Sequence, residues 1–220
     1  MRLKVVAEDF GLTRGINYGI YDACKNGIVT SVSMMMNTAH TDHAYSLVKD
    51  LDCSIGLSLS VTYGKALSDT KTLVEFDFLK PEHDYEQAKE DIILEYQAQV
   101  LKAKAMGIKI SHLTTYKNEH LTNPVLMEVI TRLGLEYDLP VRSIDDSTDV
   151  FKGQQASFDT LYQLFCQSLD YLELIVHPGF LDGHLLNISK YREWRMVEHS
   201  VLTSPIVIDM LDKHDLTLVS

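Results

Sequence analysis

Short apolar runs alternate with amphipathic segments along most of the chain, which predicts strands followed by helices. The clearest run, Leu172 to Val176, has the length and composition of a buried strand. Apolar residues spaced by four, as at Ile16, Ile20 and Cys24, predict the helices in between. The predicted strands cover 5–9, 30–37, 55–61, 108–113, 139–143, 172–176 and 216–219, and the predicted helices cover 15–26, 44–49, 84–106, 124–133, 158–169, 191–202 and 205–213.

About seven strands that alternate with helices are typical of βαβ units and a parallel sheet. We therefore predict an α/β fold, a single-domain (β/α) barrel over residues 1–220, because no repeat or linker divides the chain. The alternative is a doubly wound open sheet, although no GxGxxG fingerprint follows the first strand. Residues 64–83 and 144–157 show neither period and are predicted to be loops, and the first has the length of a lid or binding loop.

Polar side chains follow several predicted strands at their carboxyl ends, which is the face that carries the active site in barrels of this kind. These residues are Glu8, Asp9, Asn37, His112, Arg142 and His177. For Glu8 and Asp9 alone, an alternative is that they start a loop and that Thr13 caps the next helix. A single histidine is also more often a hydrogen-bonded or surface residue than a catalytic one. Six polar groups at equivalent positions favour a functional site.

Composition narrows the choice of ligand. The chain has 220 residues, of which 45% are hydrophobic and 23% charged, and these are ordinary values for a globular protein. Its net charge of -11 disfavours nucleic acid and anionic membranes as partners, because phosphate binding needs clustered Lys and Arg. The three cysteines are odd in number and widely spaced, which predicts reduced thiols and a cytoplasmic location. A neutral or cationic ligand is favoured.

The candidate residues suit two kinds of chemistry. Carboxylates and imidazoles bind divalent metals, and they also support acid/base hydrolysis without a metal. A catalytic zinc site has three protein ligands, and only Asp9 occupies an obvious ligand position. His112 or His120 could supply another, but no HxH or HxxxH spacing in that stretch supports either.

Five separated motifs resemble those of the YdjC-like (ChbG-type) carbohydrate deacetylases. They are the stretches 7–13, 55–59, 111–113, 173–179 and 191–198, that is AEDFGLT, IGLSL, SHL, ELIVHPG and YREWRMVE. The resemblance implies a (β/α) barrel related to polysaccharide deacetylases. It also implies removal of acetyl groups from N-acetylated sugars with the help of a divalent metal, Mg or Zn. Within this pattern Glu8 corresponds to the general base, Asp9 to a metal ligand and His177 to an acid or oxyanion stabiliser.

Two departures from the family pattern affect the metal. The family's two other metal-binding histidines are replaced by Ser58 and Tyr116. Serine and neutral tyrosine are weak metal donors, so the resemblance implies a degenerate metal site. We predict a carbohydrate deacetylase-like hydrolase. One alternative is a catalytically silent sugar-binding or regulatory member of the family. Another is a metal-free hydrolase or lyase that uses Glu8, His112 and His177.

The remaining candidates are assigned to the ligand. Asn37, His112, Tyr116 and Arg142 are predicted to bind substrate. The predicted partner is a small carbohydrate, with no nucleic acid and no membrane. The sequence leaves open whether the chain is an active enzyme and whether it forms a homodimer.

Overall fold

The chain folds into alternating strands and helices. A computed structural model describes residues 1–220. The strands are β1 Arg2–Phe10, β2 Ser31–Met34, β3 Ser54–Leu59, β4 Val74–Glu75, β5 Phe78–Leu79, β6 Ile110–Thr115, β7 Thr148–Phe151, β8 Tyr171–Val176 and β9 Thr217–Leu218. The helices are α1 Arg14–Asn26, α2 Thr41–Val48, α3 Lys89–Ala105, α4 Pro124–Tyr137, α5 Phe158–Phe165, α6 Gly183–Ile188, α7 Glu193–Leu202 and α8 Pro205–Lys213. Two short 3-10 helices cover Tyr116–Leu121 and Gly153–Gln155.

Seven of the strands form one sheet, in the order β6-β3-β2-β1-β8-β7 with β9 beside β1. The pairs β1–β8, β1–β9, β3–β6 and β7–β8 are parallel. The prediction of an α/β fold with about seven parallel strands is therefore confirmed. In the β1–β8 pair, Ala7 lies opposite Val176, so the residues that follow them emerge side by side.

The chain divides into two compact units. The first contains 1–32, 42–54 and 144–220, and the second contains 33–41 and 55–143. Strands β1 and β8 supply much of the buried interior of the first unit, whereas β3, α3 and β6 supply that of the second. The assignment of residues 1–220 to one YdjC-like domain remains a prediction.

Two predicted elements between residues 139 and 157 are wrong. The strand predicted over 139–143 is only an isolated bridge between Leu113 and Val141. Pro140 beside it has no N–H to donate to a ladder. The loop predicted over 144–157 instead contains β7, which pairs with β8. Only Phe151 of its four residues is buried, so no alternating pattern marks this strand in the sequence.

The long segment predicted as a loop over 64–83 contains a small hairpin. Strands β4 and β5 pair antiparallel, and Phe76 and Asp77 between them have positive φ angles of 49° and 68°. Two acids of α3 hold the segment. Asp91 accepts hydrogen bonds from the backbone N–H groups of Lys71 and Thr72, and Glu95 accepts others described below.

Candidate active site

The acidic pair lies at the end of β1 and is nearly buried. Glu8 is 6% exposed and Asp9 is 8% exposed. Asp9 has a φ of 71°, a left-handed conformation that costs a non-glycine residue of order 1 kcal/mol or more. The turn is held where Leu12 N–H donates to the Asp9 carbonyl at 2.9 Å. The chain then enters α1 at Thr13, whose hydroxyl caps the helix as predicted, by accepting from Ile16 N–H.

His177 follows β8 and lies beside Glu8. The parallel register brings the two positions together, and His177 Nε2 is 3.4 Å from Glu8 Oε2. Burial lowers the pKa of His177, but a hydrogen bond and charge from Glu8, with the charges of Asp9 and Glu198, outweigh it and raise the pKa above its ordinary value. Nδ1 is buried without a hydrogen-bond partner. The pair can therefore hold and exchange a proton in a nearly dry environment.

Arg195 of α7 binds the second acid. Its Nη2 lies 2.5 Å from Asp9 Oδ2, and its side chain is 4% exposed. The guanidinium is also tied to the backbone, because Nε donates to the Tyr191 carbonyl at 3.1 Å and Nη1 to the His177 carbonyl at 3.4 Å. Arg195 thus connects the acid at the end of β1 to the segment that carries His177.

Glu198, one turn after Arg195, fixes the backbone of His177. Its Oε2 accepts from His177 N–H at 2.5 Å, and its Oε1 accepts from the Tyr191 hydroxyl. That hydroxyl in turn accepts from Gly153 N–H at 2.7 Å. Burial raises the pKa of Glu198, although the charge of His177 and these hydrogen bonds oppose the shift. A continuous chain of hydrogen bonds therefore runs from Gly153 to His177.

No individual role for Arg195, Glu198 or Tyr191 follows from the sequence alone. All three belong to the stretch 191–198, which was one of the five resembling motifs. The signal available there was the spacing of Arg195 and Glu198, which places both on one face of a helix. Without tertiary packing, such a charged face is indistinguishable from one that faces water.

The segment after His177 is packed tightly against α1. A Cβ atom on Gly19 would lie 2.5 Å from Gly179 Cα, so this close approach requires glycine at position 19. A Cβ atom on Gly179 would lie 3.1 Å from the Ile16 side chain. Phe180 N–H donates to the Gly15 carbonyl at 3.0 Å, and Gly179 N–H donates to the Arg195 carbonyl at 3.2 Å. Helices α1 and α7 therefore both hold the segment that begins at His177.

The second unit contains the four residues predicted to bind substrate. Asn37 is 2% exposed, and its Nδ2 donates to the Tyr63 carbonyl at 2.8 Å. The rings of Tyr63 and Tyr116 lie 5.5 Å apart at an angle of 36°, and both residues are half-buried. Lys117 lies over the Tyr116 ring at 5.0 Å. This part of the unit therefore presents an aromatic pair and a cation.

Arg142 and His112 also belong to the second unit. Arg142 is 8% exposed, and it donates through Nη2 to Asn118 Oδ1 at 2.7 Å and through Nη1 to Ser33 Oγ at 3.4 Å. Asn118 has a positive φ of 55°. A Cβ atom on Gly56 would lie only 2.2 Å from the buried His112 ring. The position of this ring therefore requires glycine at residue 56.

The structure thus brings Glu8, Asp9 and His177 together in the first unit. It places the four residues predicted to bind substrate in the second unit. That these two groups of residues meet at the carboxyl ends of the strands remains a prediction. No helix is long and apolar enough to cross a membrane.

The fold is similar to that of several solved structures. A family 4 carbohydrate esterase from Streptomyces lividans superposes with a TM-score of 0.58 at 14% identity, covering 100% of this chain and 92% of that one. This likeness concerns the fold alone. The chain belongs to the YdjC-like family, because the model of the YdjC-like protein matches residues 2–213.

Individual relatives agree with this assignment. A carbohydrate deacetylase of Clostridium beijerinckii is 34% identical over 242 residues, covering 100% of this chain and 98% of that protein. A carbohydrate deacetylase of Vibrio campbellii is 34% identical, covering 98% and 94%. A crystal structure from Enterococcus faecalis, of a protein proposed to cleave cellobiose phosphate, has a TM-score of 0.87 at 25% identity and covers 100% and 97%.

A divalent metal is expected in this family, and the side chains of this chain do not fit one. No group of three His, Cys, Asp or Glu residues is placed so that it could hold a metal ion. Three protein ligands are the norm at a catalytic zinc. Asp9 binds a guanidinium, and Ser58 and Tyr116, which the resemblance places at the family's two histidines, offer only neutral oxygens.

Proposed function

We propose that the chain is a carbohydrate deacetylase-like hydrolase that removes acetyl groups from N-acetylated sugars or oligosaccharides. The observation that carries the proposal is the contact between Glu8 and His177 at the ends of adjacent parallel strands. A carboxylate beside an imidazole of raised pKa supplies a base and an acid for the same reaction. Membership of the YdjC-like family supports an acetylated sugar as the substrate class.

In the proposed reaction, Glu8 takes a proton from a water molecule while the water oxygen attacks the acetyl carbonyl carbon. Protonated His177 stabilises the negative oxygen of the tetrahedral intermediate through its charge. His177 then gives a proton to the sugar nitrogen as the C–N bond breaks, which releases acetic acid and the free amine. Protonated Glu8 returns its proton to His177 across their 3.4 Å contact, so both groups regain their starting state.

Asp9 and Arg195 orient the reacting pair in this proposal, because Arg195 is bonded both to Asp9 and to the His177 carbonyl. Asn37, His112, Tyr116 and Arg142 are proposed to bind the sugar. The half-buried rings of Tyr63 and Tyr116 support this role, because aromatic rings offer a flat apolar surface to a sugar ring.

The test is release of acetate from N-acetylglucosamine oligomers, with amine formation measured in parallel. The native chain is expected to release equal amounts of acetate and free amine, and Glu8→Gln is expected to release neither. If the native chain binds the oligomers without releasing acetate, the hydrolase assignment is wrong and the silent sugar-binding alternative holds. Absence of both binding and release would reject a carbohydrate ligand of this type.

We also propose a cytoplasmic location and a small carbohydrate as the main ligand. Cys24, Cys53 and Cys166 are all free thiols, which suits a reducing compartment. The names of the relatives support a carbohydrate.

A further inference from the structure

Asp9 and Arg195 form an ion pair that is almost fully withdrawn from water. The side chains are 11% and 4% exposed, and the oxygen and nitrogen are 2.5 Å apart. Burying a lone carboxylate is costly, so a nearly buried acid needs a cation or several donors. In this chain a guanidinium supplies the cation, and an arginine remains charged at every physiological pH.

Arg195 cannot move away from Asp9 without breaking other contacts. Its three nitrogens are divided among Asp9, the Tyr191 carbonyl and the His177 carbonyl. The guanidinium also lies 5.4 Å from the centre of the Tyr191 ring, within the range of a cation–π contact. The charge is therefore built into the site by α7 and does not depend on a bound ion.

A divalent ion at Asp9 would meet two obstacles. It would share the carboxylate with a fixed positive charge 2.5 Å from one oxygen, and repulsion between charges is strong where water is excluded. It would also lack partners of its own, since the chain has no trio of His, Cys, Asp or Glu residues arranged to hold it. Ser58 and Tyr116 would each have to lose a proton to become strong ligands.

We propose that Arg195 is the resident cation of this site, and that the chain neither holds nor needs the divalent metal expected in its family. Asp9 is then the partner of a guanidinium instead of a metal ligand. This inference concerns the ion-binding state of the protein. Metal content and unfolding test it without reference to the proposed deacetylase activity, and acetate release with and without chelator tests whether a metal is needed.

The first experiment measures metal directly. The purified chain is incubated with Zn²⁺, Co²⁺ or Mn²⁺ in turn, dialysed, and analysed for metal content, with the visible spectrum recorded for Co²⁺. We expect no stoichiometric metal and an unchanged thermal midpoint after treatment with a chelator. About one ion per chain that disappears in Asp9→Asn would overturn the proposal, whether or not acetate is released.

The second experiment tests whether Asp9 and Arg195 act as a pair. Urea unfolding is measured for Asp9→Asn, Arg195→Gln and the double variant. We expect the double variant to shift the midpoint by less than the sum of the single shifts, because each single change leaves the other charge buried alone. Additive shifts would overturn the proposal. Arg195→Lys, which keeps the charge, provides a milder variant if Arg195→Gln does not fold.

A matched control comes from an exposed pair in the second unit. Lys89 and Glu128 are 2.6 Å apart, with side chains that are 30% and 65% exposed. The same cycle with Lys89→Gln and Glu128→Gln is expected to be nearly additive, since exposed ion pairs contribute little. Acetate release by the native chain is also measured with and without chelator. If the chelator abolishes acetate release, the reaction needs a metal and the proposal is wrong.

Discussion

Ala7 in β1 lies opposite Val176 in β8, and this single register places a carboxylate beside an imidazole. Neighbouring strands are about 4.8 Å apart, so the next residues of both strands, Glu8 and His177, come within reach of each other. The contact of 3.4 Å between them is therefore a product of strand pairing.

Replacing Glu8 by Gln is expected to lower kcat by about 10²- to 10⁴-fold, the usual contribution of a general base. The amide keeps the size of the side chain but cannot accept a proton from water. Acetate release under saturating oligomer measures the effect. Glu193→Gln, at an exposed residue at the start of α7, is the control and should leave kcat unchanged. Full activity in Glu8→Gln would show that another group acts as the base.

Stability is expected to fall as pH rises through the pKa of His177. This pKa is raised in the folded protein, so the stabilisation is fully present below the ordinary value of 6.5 and is lost above the folded pKa. The charges that raise the pKa of His177 are the carboxylates of Glu8, Asp9 and Glu198, and the Tyr191 ring packs edge-on against the imidazole at 6.0 Å. Urea unfolding between about pH 6 and 9 measures the effect. His177→Gln should remove this part of the pH dependence, and an unchanged profile in that variant would contradict the assignment.

Tyr191→Phe is expected to lower the free energy of unfolding by about 1–3 kcal/mol, because it removes a half-buried hydroxyl that is both a hydrogen-bond donor and an acceptor. Glu198 would lose the Tyr191 hydroxyl, and Gly153 N–H would lose its acceptor. Denaturant unfolding measures the loss. Tyr162→Phe, at a half-exposed ring, serves as the control and should have little effect. Equal stability of both variants would show that the Tyr191 hydroxyl is dispensable.

Glu95→Gln is expected to loosen the segment around β4 and β5. Glu95 is fully buried, and one of its oxygens accepts from Leu67 N–H, Ser68 N–H and the Ser68 hydroxyl at 2.8–2.9 Å. An amide accepts these bonds less strongly, because hydrogen bonds to a charged group are about twice as strong. Faster hydrogen exchange over residues 64–80 is the readout. Glu90→Gln, at an exposed position of the same helix, should leave exchange unchanged, and equal exchange in both would contradict the prediction.

The strands of the fold could be predicted from the sequence wherever a strand is buried on both faces. Strand β8 is read directly from its apolar residues, and His177 is found because it ends that run. Strand β7 could not be found in this way, since three of its four residues are partly or fully exposed. Its existence depends on pairing with β8, which is a tertiary effect.

The residues that support the candidate site were harder to predict from the sequence, for a related reason. Arg195 and Glu198 are polar residues on a helix that also exposes Trp194 and Met196, so burial cannot be assigned from the pattern. They are buried because α7 packs beside the ends of β1 and β8, where each finds a charged or backbone partner. Local periodicity contains no information on such long-range pairing.

The contact between Gly19 and Gly179 links a position inside α1 to the segment that carries the His177 imidazole. A single methyl group at residue 19 would push on the backbone two residues beyond His177. An Ala substitution that ordinarily strengthens a helix would here displace the backbone that follows His177. The geometry around the imidazole therefore depends on a residue of α1 that does not touch it.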